Sequence, residues 1–171
     1  MGEDPKRLRE TMEEVAAELA ERMDAVDEHH RDLIAEHGWS LQTVLGDEHS
    51  YGFTYTVGLT AKGLPELLLD TLAPRQAGPV LNACADHMVE HGPLEVPDPS
   101  VLLRLPDWSV PFRLHGPIDP QAAEAFLALR FAEDPGEVRL LQVLWPDEEG
   151  RYPGDDGYDV ETFPQRLMPV A

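Results

Sequence analysis

Two separated blocks of strand-like sequence constrain this chain most. The first runs from His37-Gly38-Trp39 through Phe53-Thr54-Tyr55-Thr56-Val57-Gly58-Leu59 to Leu64-Pro65-Glu66-Leu67. The second is Leu141-Gln142-Val143-Leu144-Trp145-Pro146-Asp147, followed by Gly150-Arg151-Tyr152-Pro153 and Gly157-Tyr158-Asp159. Aromatic and β-branched runs that stop at Gly, Pro or a carboxylate are strands entering tight turns. Period-two alternation puts Phe53, Tyr55 and Val57 on one face of such a strand and Thr54, Thr56 and Gly58 on the other.

Around these blocks the spacing predicts further strands at Trp39–Leu45, Pro65–Thr71, Trp108–Gly116 (an edge strand or bulge, interrupted by Pro111) and Glu137–Trp145, the last apolar enough to be central. Gly46–Ser50 reads as a polar turn. Helices are expected from Pro74 to about Glu90, and from an Asp119-Pro120 cap to about Phe131. Pro93, Pro97, Pro99 and Pro106 mark a loop or broken edge, and the acidic stretch after Pro146 is irregular. Strands and helices without βαβ regularity predict an α+β fold, with an antiparallel or mixed sheet of about five strands.

An amphipathic helix precedes this domain. Asp4 and Pro5 form a helix start. Leu8, Met12, Val15, Leu19, Met23 and Val26 then recur at steps of three and four, followed by Leu33 and Ile34, and His37-Gly38 is a helix stop. A helix from 5 to 36 would be about 48 Å long, so it projects, bends near Asp24–Asp27 or pairs with another chain. The organisation expected is an acidic helix over 1–32 and a single α+β domain over 33–171.

Charge narrows the function classes. The 171 residues hold 33 acidic and 13 basic side chains, a formal net charge of −20. Twelve acids lie in residues 1–36 and seven more in Asp147–Glu161. That sign repels phosphate backbones, so no nucleic-acid partner is expected. No apolar stretch suggests a signal peptide or membrane span, and the single cysteine, Cys84, excludes an intrachain disulfide framework. A soluble cytoplasmic protein is expected.

The order His-Gly-Trp, an aromatic-Tyr-Thr-Val-Gly-Leu strand, Pro-Glu-Leu, and Leu-Gln-Val-Leu-Trp-Pro-Asp resembles the bacterial domain of unknown function 4262. Leu81-Asn82 matches the asparagine-bearing helix of that family. The resemblance covers about residues 33–159 and implies a fold and a bacterial setting, but no reaction. One departure is Gly154, where the family often has an aromatic after the proline at 153; this weakens a stacking role at that turn.

Three constellations could carry chemistry. Trp145 and Asp147 at a strand end, with Tyr158 and Asp159, place an aromatic face and a carboxylate at a sheet rim. Asp147 would be a general base or cation ligand there; otherwise it makes an Asx-type turn. Tyr55, Thr56 and Glu66, with Trp39 nearby in the first block, could line a small-molecule cleft, unless the Tyr55 hydroxyl merely satisfies Glu66. Cys84, His87 and His91 share a helix face, where a thiolate and two imidazoles suit Zn²⁺, although Cys84 also belongs to that helix's apolar stripe. The histidines are not part of the family pattern. Asp155, Asp156 and Asp159 lack the spacing of a calcium loop. Phosphate-loop, dinucleotide and nucleophile-elbow signatures are absent.

The expectation is a small-ligand-binding or protein-interaction module, dimeric through the Leu8–Ile34 seam in its simplest form. The alternative is a small enzyme or metal protein using the rim of Tyr55, Glu66, Trp145 and Asp147 or the Cys84 helix face.

Overall fold

The computed structural model describes residues 5–48, 51–94 and 102–171. Asp4, His49, Ser50, Pro97 and Pro99, which figured in the expected cap, turn and loop, lie outside these ranges. The chain divides into two compact units, residues 1–38 and 39–171.

The first unit is one uninterrupted helix, α1, Pro5–His37. It stops as its sequence predicts: Gly38 takes a left-handed φ of 93° and its N–H bonds the Ile34 carbonyl at 2.8 Å.

The second unit is an open mixed sheet in the order β1-β2-β3-β6-β5-β4. The strands are β1 (Ser40–Val44), β2 (Phe53–Val57), β3 (Glu66–Asp70), β4 (Leu102–Leu103), β5 (Phe112–Ile118) and β6 (Leu140–Leu144). Neighbours are antiparallel except β3 and β6, which run parallel with Glu66 beside Leu140 and Leu68 beside Gln142. The α+β expectation is met, with six strands where about five were expected; the extra one is the two-residue β4.

Register assigns the two faces. Leu41, Leu67, Leu69, Leu141, Val143, Phe112 and Leu103 share one face with the apolar stripe of α2 (Pro74–His91), whose Ala77, Val80, Leu81, Cys84 and Met88 are all fully buried. Burying each Val, Leu, Phe or Met side chain of this set is worth about 1.5–3 kcal/mol, so this is the main core. On the other face lie Tyr55, Leu68, Gln142 and His115, which run in one row across the strands. That face is covered by α3 (Phe126–Phe131) and by the irregular C-terminal segment. The C-terminal part of this cover is tied down mainly by side chains.

Two expected elements differ. The helix predicted over 119–131 exists only from Phe126. Asp119 Oδ1 does accept the Gln121 N–H at 2.9 Å, but the turn it starts is broken by Glu124 at φ 59°. Ala123 and Ala125 are both buried, and residues two apart point to opposite sides of a helix, so the chain leaves helical geometry to bury both. The strand predicted from Trp108 begins at Phe112, after Pro111, and extends to Ile118 through a bulge. A Cβ on Gly116 there would meet the Ile118 nitrogen at 3.0 Å and the Leu140 carbonyl at 3.1 Å.

Candidate functional site

Glu66 opens β3, and its carboxylate is fully buried. Its Oε2 accepts from Thr56 Oγ1 at 2.6 Å; its Oε1 accepts from Gly58 N at 3.0 Å, Thr60 N at 2.9 Å and Thr60 Oγ1 at 3.0 Å. Thr56 Oγ1 accepts in turn from Leu67 N at 2.8 Å. Gly58, at φ 106°, allows this close approach of backbone to carboxylate. Burial nevertheless pushes the Glu66 carboxyl above its usual range, against the pull of these four donors. The Tyr55 hydroxyl is not the partner of Glu66; it accepts the Leu127 N–H at 3.2 Å and fixes α3 to the sheet.

Asp147 organises the second block. Its Oδ1 accepts from the backbone N–H of Glu149 and of Arg151, both at 2.9 Å; its Oδ2 accepts from Arg151 Nε at 3.0 Å and Asp159 N at 3.2 Å. Burial raises its pKa, but the Arg151 and Asp159 donors outweigh burial and hold the carboxyl below the usual range. A carboxylate with four donors and a depressed pKa is a poor proton acceptor. Trp145 and Tyr158 are joined through Gln165. Its amide accepts from Trp145 N at 3.0 Å, and donates to Trp145 O at 2.6 Å and Tyr158 Oη at 2.8 Å.

The structure therefore splits the expected rim. Because β3 and β6 are parallel and Glu66 pairs with Leu140, Glu66 lies at the opposite strand end from Trp145 and Asp147, about 16 Å from Trp145 at strand rise. Trp39 joins neither group; its Nε1 donates to Asn82 Oδ1 on α2 at 3.0 Å. Cys84 is fully buried and its thiol is pushed up to about 12 by burial. His87 and His91 stack at 4.4 Å, and the His91 ring bonds the His87 carbonyl at 3.0 Å. Among the described residues no group of three His, Cys, Asp or Glu side chains is placed to hold a metal ion.

What the sequence reading missed lies on the second sheet face. A cleft of about 400 Å³ opens between β5, Pro153–Asp155 and the C-terminal segment. Its apolar wall includes Leu144, Leu167 and Val170; its polar groups are Arg113, His115 and Asp155. Arg113 Nη1 pairs with Asp155 Oδ1 at 2.7 Å, and the guanidinium lies 4.2 Å over the Tyr152 ring. Tyr152 Oη is itself anchored to the Pro111 carbonyl at 2.7 Å. The Arg113 hydrogen bond holds the Asp155 carboxyl below its usual range. His115 Nε2 meets the Met168 carbonyl at 2.7 Å, which makes that nitrogen the protonated one. Gly154 keeps one wall thin, since a Cβ there would sit 3.2 Å from Leu167 Cδ2. Polar residues in a strand as apolar as β5 were the available signal.

The cleft's far wall exists because the C-terminal segment is tied down. Asp70, buried at the end of β3, accepts from Arg166 N at 2.8 Å and from Arg166 Nη2 at 2.6 Å. Gln142, fully buried in β6, bonds the Arg166 carbonyl at 2.5 Å and accepts Met168 N at 2.9 Å.

Fold and site together define a small α+β domain with one face roofed by its own C-terminal chain. The chain belongs to the family described as Domain of unknown function (DUF4262), whose model matches residues 33–159. No curated protein and no solved structure matches it.

Proposed function

We propose that this is a bacterial cytoplasmic binding module that takes a small, uncharged, mainly apolar molecule with one hydrogen-bonding head group into the β5 cleft. The observation that carries this reading is the Arg113–Asp155 pair. These are the two fully charged groups lining the cleft, they neutralise each other, and the remaining walls are largely aliphatic. A net charge of −20 further disfavours anions. Asp155 and the second ring nitrogen of His115 supply acceptors and Arg113 a donor for the head group. The cytoplasmic assignment is supported by the acidic surface and a lone, buried thiol.

The test is an NMR titration with indole and phenylacetamide against phenylacetate. The neutral probes are expected to shift the amides of His115, Gly154 and Val170, and phenylacetate to shift them less. Val170 is exposed, so Val170→Trp should fill the cleft, keep the fold and abolish the shifts. Neutral probes that leave those amides unmoved overturn the reading.

A further inference from the structure

Along α1 the residues Leu8, Met12, Val15, Leu19, Met23 and Val26 are each between 43% and 64% exposed. At 100° per residue they fall within a stripe about 80° wide, and Met12, Leu19 and Val26 keep strict seven-residue spacing. Six half-exposed side chains present on the order of 500 Å² per helix, so two copies bury about 1,000 Å², the lower bound of a specific interface.

We infer that this stripe is covered by a second copy of the chain, running antiparallel and centred near Ala17. The seam is nearly symmetric about that point. Reversing one helix sets Leu8 against Val26, Met12 against Met23, and Val15 against Leu19. Ala16 and Ala20, on one flank of the stripe, let the two backbones approach closely. Charge selects the direction. Residues 5–10 carry Lys6, Arg7 and Arg9 against Glu10, whereas residues 24–36 carry Asp24, Asp27, Glu28, Asp32 and Glu36 against Arg31 alone. A parallel pair would stack like ends on each other. The antiparallel pair sets the basic end level with the partner's acidic end and opposes the two helix dipoles as well. This pairing is independent of the cleft.

The full chain tests it in two measurements. Sedimentation at about 100 μM should give a dimer, and Leu19→Glu, at an exposed site, should give a monomer with an unchanged circular dichroism spectrum. Spin labels on Lys6→Cys should then lie more than about 33 Å apart across an antiparallel pair, against less than about 25 Å in a parallel one. Buried Cys84 stays unlabelled in that experiment. A monomeric wild type, a dimer indifferent to Leu19→Glu, or the short distance would each overturn the inference.

Discussion

Glu66 is a buried carboxyl group that accepts from four donors of its own hairpin: two hydroxyls and two backbone N–H groups. Replacing it by glutamine keeps the shape but turns one carboxylate oxygen into an NH₂ facing other donors. Glu66→Gln should cost about 1–3 kcal/mol in urea unfolding, the range for an unsatisfied buried polar group. It should also remove a pH dependence. Because the folded pKa of Glu66 is raised, its contribution is fully present below the ordinary value of 4.5 and is lost as pH rises through the folded value. The variant's stability should be flatter above pH 4.5 than that of the wild type; an equal slope would show that another group titrates there. The sequence grouped Glu66 with Thr56, which is one of its donors, but the Thr60 donors could not be read from it. Glu66 and Thr60 are six apart in an irregular turn, and Gly58 alone hinted at a close approach.

Among elements, the C-terminal segment is irregular as its composition suggests, but it is packed down. It has no regular structure beyond a single bridge from Val170 to Ile118, yet it roofs a sheet face. Buried Asp70 and Gln142 hold it. Arg166→Ala would leave Asp70 with the Arg166 backbone N–H as its remaining donor among those described. Breaking a buried ion pair from one side costs several kcal/mol, and the Arg166 side chain is 40% exposed, so about 2–4 kcal/mol is expected. Amide exchange at residues 165–171 should rise more than in α2. If both rise together, the roof is not a separate unit of stability. This variant should also weaken indole binding, because Leu167 and Val170 form the cleft's wall.

For the whole molecule, charge sets the conditions of greatest stability. At −20 the folded chain repels itself, and protonation relieves this as pH falls toward the isoelectric point near 4.5. Glu66 acts in the same direction. Against them stand Asp147, Asp155 and Asp159, whose folded values are depressed; their contribution is present above the ordinary 3.8 and is lost below it. The melting temperature should therefore rise from pH 7.5 to about pH 5 and fall again below about 3.8. Salt raised to about 0.5 M should increase it at pH 7.5, where repulsion is greatest, and have less effect at pH 5. A melting temperature that falls steadily from pH 7.5 to 5 would contradict this balance.

The local rules of the sequence determined α1, β2, α2 and β6. Periodicities of 3.6 and 2, Pro5 and Pro74 at helix starts, and Gly38 and Gly58 at left-handed turns each act within a few residues. They also placed Cys84 in an apolar stripe, and that stripe is the core. Only the tertiary structure decided what Asp70, Gln142 and Arg113 do, because their partners Arg166, Met168 and Asp155 lie 96, 26 and 42 residues away. The same holds for the split of Glu66 from Asp147, which follows from β3 and β6 being parallel and in one register. Side chains that pair across such distances leave no periodic trace. The β5 cleft they build therefore became visible only once the sheet and its C-terminal roof had been brought together.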